Sequence, residues 1–142
     1  MELRFIFLLV LSLAAAIMDI LSYKISNYLI LTGILSGLGF SFIATGMQGL
    51  SGSFAGLCIP LLSMFVFYRL GLFGAGDLKL FSMIGAFVGP GDVVLVMAVS
   101  FLAGAFLGLI KILALERRKG LHKIRFAVPT FFGVLIYIGG FL

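Results

Sequence analysis

Apolar residues run through this chain in blocks of roughly bilayer length, at about 4–22, 28–46, 53–71, 78–90, 92–115 and 125–142. A helix crosses hydrocarbon in roughly 20 residues, so the blocks predict six transmembrane helices with little chain left between them. Hydrophobic residues make up 63% of the 142 and charged residues 11%, with a mean hydropathy of +1.31. A chain of that composition has the bilayer as its main solvent. The expected fold class is all-α, a polytopic membrane protein read as a single membrane-embedded domain over 1–142. The fourth helix is short, because roughly 13 residues reach only about 20 Å. It must start or end below the membrane surface. Pro90 and Gly91 separate it from the fifth, expected to begin near Asp92.

Basic residues orient these helices. Lys24 lies in the first link, Arg69 and Lys79 flank the third, and Arg117, Arg118, Lys119, Lys123 and Arg125 crowd the fifth. The links near 46–52 and 89–92 contain no Lys or Arg. The positive-inside rule then makes the odd-numbered links cytoplasmic and turns both termini outward. Arg4 falls on the wrong side, balanced by Glu2. The net charge of +5 is therefore largely topological, and the 117–125 cluster is read as a partner of anionic lipid headgroups, with no nucleic acid expected.

Residues 1–16, with MELR, an apolar run and Ala14-Ala15-Ala16, resemble a cleavable secretory signal. Cleavage there would place Lys24 outside and invert every later link, so 1–22 is read as a true span. Cys58 is the only cysteine and His122 the only histidine. No internal disulfide, metal site or cofactor is expected.

Three of the five acidic residues have ordinary explanations. Glu2 and Asp92 fall near the outer surface, and Glu116 sits among cytoplasmic arginines. Asp19, near the inner end of the first span, and Asp77, opening the fourth, remain. A carboxylate in or near hydrocarbon costs roughly 2.5 kcal/mol or more, so such groups usually face a bundle interior and mark function. Taken singly, Asp19 is compatible with an interfacial ion pair to Lys24, and Asp77 with an N-cap. Together, at matching depth on two helices, they are the equipment of an aspartic protease: one carboxylate takes a proton from water while its protonated neighbour donates to the scissile carbonyl or leaving amine.

Asp77 stands in FGAGDLKLF, residues 73–81. Gly74 and Gly76 are expected to leave the backbone free to take positive φ and to let another chain approach closely, either a neighbouring helix or an extended substrate laid down as an added strand.

The run Gly74-Ala75-Gly76-Asp77-Leu78-Lys79, with Asp19, Lys24 and the turn Ile25-Ser26-Asn27-Tyr28-Leu29, resembles the type IV prepilin peptidases, the GxGD-type membrane aspartic proteases that include the archaeal preflagellin peptidases. Lys24-Ile25 and Asn27 match an element of that family, and Ser26 stands where the family commonly has proline. The resemblance implies Asp19 and Asp77 as catalytic residues, with Gly74, Gly76, Lys79, Lys24 and Asn27 shaping the turn or the substrate path. It implies removal of the basic leader from prepilins or pilin-like proteins at the cytoplasmic face of the cell's inner membrane. Larger members also methylate the new N-terminus through a region with paired Cys-x-x-Cys motifs. One cysteine cannot supply these, so the resemblance is to the short branch that serves tight-adherence pili or archaeal flagellins.

A small ion- or proton-coupled transporter would use the same carboxylates. Against it, both acids lie at one face rather than at the midplane. A non-catalytic scaffold for pilus assembly would not need the acids at all. Gly33/Gly37, Gly52/Gly56, Gly85/Gly89 and Gly104/Gly108 read as small-xxx-small helix contacts. Tyr23, Tyr28, Tyr68 and Tyr137 read mostly as an interfacial aromatic belt.

Overall fold

The computed structural model describes residues 3–22, 24–70, 74–115 and 127–140, with backbone alone for 111–115. Tyr23, Glu116, His122 and the basic residues Arg117, Arg118, Lys119, Lys123 and Arg125 lie outside the described residues. The helices are α1 Leu3–Ser22, α2 Asn27–Arg69, α3 Ala75–Val88, α4 Pro90–Leu115 and α5 Ala127–Gly140. No strand occurs among the described residues. Three helical stretches, Leu3–Ser22, Asn27–Arg69 and Pro90–Ile110, are long and apolar enough to cross a membrane, and Ala127–Gly140 is a shorter apolar helix.

The all-helical expectation holds, but among the described residues the helices number five rather than six, because the segments expected at 28–46 and 53–71 run together as the 43-residue α2. A straight helix of that length would extend about 65 Å. This one is broken where Thr45 (φ −137°, ψ 16°) and Gly46 (φ 64°, ψ −138°) leave helical geometry. Two contacts give the direction of the break. A Cβ at Gly37 would stand 3.0 Å from the Ala86 carbonyl carbon, and the Ser53 hydroxyl donates to the Ala86 carbonyl oxygen. Along a straight helix positions 37 and 53 would lie about 24 Å apart. The chain therefore folds back at Thr45–Gly46 into two arms, 27–44 and 47–69, that grip the same residue of α3. The expected link at 46–52 shrinks to two residues because glycine alone takes Gly46's conformation without strain. The polar residues after it are helical, with Ser51 Oγ donating to the Gln48 carbonyl at 2.8 Å.

α3 is the centre of the molecule. Leu78 and every residue from Leu80 to Val88 are buried, as expected of a helix apolar all round. The α2 arms approach it through small residues: Gly33 lies against Met83, Gly37 against Ala86 and Phe87, and Gly56 against the Gly85 backbone. Gly52, expected to pack with Gly56, faces open space. Phe81 meets Phe101 of α4 with ring centroids 5.6 Å apart. α5 closes the bundle with Gly133 against Ser100 of α4 and Tyr137 edge-on to Phe5 of α1 at 6.3 Å.

Small and hydroxylated residues such as Ser12, Ser53, Ser100 and Thr130 are buried, whereas Ile43, Leu62 and Leu102 are 82%, 76% and 73% exposed. Large apolar groups facing outward as well as inward, with small ones at the helix contacts, suit a molecule solvated by lipid, where close backbone packing holds helices together.

α3 passes to α4 at Gly89, whose φ of 88° is left-handed. Its N–H donates to the Gly85 carbonyl at 2.9 Å and its carbonyl accepts from the Val93 N–H at 3.1 Å. The break thus lies at Gly89 rather than at Pro90 and Gly91. Pro90 is already the first residue of α4, where its fixed φ suits the helix and its missing N–H is not needed.

Candidate active site

After α1 ends at Ser22, the chain turns through residues 24–26 into α2. Ser26 is the N-cap, with φ −64° and ψ 133°, and its hydroxyl accepts the Tyr28 N–H at 3.2 Å. That φ is the value a proline ring would impose. Serine thus holds the backbone angle that a proline would impose here and adds a cap acceptor.

Asp77 lies one turn into the site's second element. Gly74 is the N-cap of α3, with φ −79° and ψ 153°, and its N–H donates to Asp77 Oδ2 at 3.1 Å. Asp77 is therefore not the N-cap itself. It occupies the third helical position and reaches back to the cap, the carboxylate half of a capping box. The expected positive φ at Gly74 and Gly76 does not occur: Gly74 is extended and Gly76 is helical. At Gly74 the absence of a Cβ matters, whereas at Gly76 an added Cβ would make ordinary contact. One at Gly74 would stand 3.3 Å from Asp77 Oδ2, and one at Gly76 would stand 3.7 Å from Ile25 Cδ1.

The two segments meet. Ile25 lies over Gly76, and Lys79 Nζ donates to Asn27 Oδ1 at 2.9 Å. These contacts put the C-terminal end of α1 and the first turn of α3 at the same end of the bundle. Asp19, in the last turn of α1, is half-buried. Its Oδ2 is fully buried and has no hydrogen-bond partner, so an ion pair to Lys24, which is exposed, does not engage this oxygen. A buried carboxylate oxygen without a donor carries a desolvation penalty of roughly 1–3 kcal/mol. Ion pairing at the surface does not account for it.

Lys79 follows Asp77 by two positions, and side chains at i and i+2 of a helix do not face each other. Its ammonium is engaged by Asn27. Neither this bond nor the Ile25–Gly76 approach could be read from sequence, although all four residues lie in the motifs. Residues this far apart meet only through the path of α2.

The opposite end of α3 is also polar. A cavity of about 160 Å³ is lined there by Arg4, Ser41, Thr45, Ser53, Val88 and Gly89, among others. Val88 is eleven positions beyond Asp77, about 16 Å along the helix, so this cavity does not serve the aspartates. At the same end Tyr137 donates to Asp92 Oδ2 at 2.7 Å. Tyr137 is thus a buried hydrogen-bonding residue rather than part of an aromatic belt.

Residues 6–109 match the model of the type IV leader peptidase family. The chain belongs to that family. As a type IV leader peptidase it is a hydrolase of peptide bonds and an integral membrane protein. The matched stretch contains Asp19, the Lys24–Asn27 turn and the Gly74–Lys79 run. No curated protein and no solved structure matched the chain.

Proposed function

We propose that the chain is an aspartic endopeptidase that removes the basic leader of a prepilin or pilin-like protein at the cytoplasmic face of the inner membrane, without methylating the product. The observation that carries this reading is the convergence of the α1 end and the α3 start, with Asp77 tied to Gly74 and Asp19 Oδ2 buried without a partner. One carboxylate accepts a proton from water as its oxygen attacks the scissile carbonyl carbon. The other donates to the carbonyl oxygen, and collapse of the tetrahedral intermediate returns a proton to the leaving amine.

Six membrane crossings fit the same reading. The two arms of α2 are about 27 and 35 Å long, each enough for one passage, and the 14-residue α3, about 21 Å long, is short enough for Asp77 to lie at or just below the surface. Lys24, Arg69 and Lys79 share that end, which the positive-inside rule makes cytoplasmic. The transporter reading is disfavoured by the same arrangement, since both acids sit at one end and the cavity at the other.

The test is cleavage of a prepilin-like peptide by the purified protein in detergent, comparing wild type with Asp19→Ala and Asp77→Ala. Loss in both variants supports the reading. Cleavage that survives either change excludes it.

A further inference from the structure

We propose that the Asn27–Lys79 hydrogen bond is a clamp that positions the two aspartates relative to each other, so that Asn27 acts on catalysis through Lys79 rather than by touching substrate. This rests on the two-aspartate reading above. The bond joins residues 52 positions apart at 2.9 Å, both on the exposed rim. Neither partner is needed by its own helix, because Ser26 caps α2 and Gly74 with Asp77 closes the start of α3.

The geometry explains what the clamp holds. Asn27 is the first residue of α2, directly after the turn that leaves α1, and Lys79 lies two residues past Asp77. The Ile25–Gly76 approach, at ordinary van der Waals distance for an added Cβ, gives contact without direction or register. The charged hydrogen bond supplies both, because an ammonium aimed at one carboxamide oxygen is directional where apolar contact is not. Two carboxylates sharing a proton-transfer task need such a constraint, since misplacement by about 1 Å can lower a rate by about 100-fold.

The experiment measures kcat, KM and thermal stability for Asn27→Ala, Lys79→Met, the double variant and Asn27→Asp, on full-length protein in detergent with a prepilin-like peptide. Methionine keeps the length of the lysine stem and removes the donor. The expected result is a fall in kcat of about 10-fold or more in each single variant, KM within about twofold, and a double variant no worse than the weaker single. Asn27→Asp, which still accepts from Lys79, should retain most of the wild-type kcat. Multiplying losses in the double variant, or a loss confined to KM, would overturn the clamp. Should Asn27→Ala lose its fold, Lys79→Met paired with Asn27→Asp reads the same bond. Activity surviving in Asp19→Asn or Asp77→Asn would instead sink the two-aspartate reading, whatever the clamp variants do.

Discussion

At the scale of single residues, the site depends on groups that set backbone angles and on groups that leave space. Ser26 illustrates the first. Its φ of −64° suits proline, so Ser26→Pro should fold and cleave, whereas Ser26→Ala should lose about 1 kcal/mol with its cap. Thermal melts of both variants check this, and a Ser26→Pro variant that fails to fold would show that the turn needs more than the angle. Gly74 illustrates the second. A methyl group there would stand 3.3 Å from Asp77 Oδ2, closer than carbon and oxygen normally pack, so the carboxylate must shift by a few tenths of an ångström. Gly74→Ala should lower kcat by about 10-fold while stability changes by less than about 1 kcal/mol, alanine being the weaker cap. Equal losses in both quantities would mean that the glycine serves the helix start and not the acid.

At the scale of elements, α3 is held by backbone contact as much as by side chains. A Cβ on Gly85 would collide with the Gly56 carbonyl, backbone against backbone, and only separation of the helices relieves it. Gly85→Ala should destabilise by roughly 1–3 kcal/mol or more, read as a lower melting temperature, although position 85 is eight residues from Asp77. The hydrophobic runs made most of these elements legible, since the lengths of α1, α4 and α3 follow from where apolar residues start and stop. The Thr45–Gly46 reversal was less so. Gln48, Gly49, Ser51 and Gly52 looked like a link because polarity and glycine mark loops in soluble proteins, yet here they form the first turns of a helical arm. Asp19 and Asp77 were legible as candidates because carboxylates are scarce in a chain this apolar. At Gly74 the structure uses the space that a missing side chain leaves rather than a positive φ.

At the scale of the whole molecule, polarity is divided between two ends. One end gathers Asp19, the Lys24–Asn27 turn and the Gly74–Lys79 run, and the other gathers Asp92, Tyr137 and the cavity beside Arg4. The 117–125 basic cluster lies outside the described residues, and its charge alone sets its expected behaviour. A basic leader is not attracted by a basic surface, whereas anionic lipid is, by about 1 kcal/mol for each Lys or Arg near the headgroups. Neutralising Arg117, Arg118 and Lys119 together should weaken binding to anionic lipid or disturb insertion, with little change in cleavage in detergent. A large loss of detergent activity would place those charges in substrate binding.

If two aspartates on different helices share one proton-transfer task, asparagine at either position must stop cleavage without unfolding the protein. The Asp77→Asn change keeps an oxygen able to accept the Gly74 N–H that now bonds Asp77 Oδ2, and the Asp19→Asn change preserves the volume of the acid, so folding should be spared. Cleavage of a prepilin-like peptide by Asp19→Asn, Asp77→Asn and wild-type protein, with melting temperatures taken on the same samples, should show each variant folded and slower by at least about 100-fold. A folded variant of either kind that cleaves at the wild-type rate would show that the two aspartates do not share the proton transfer.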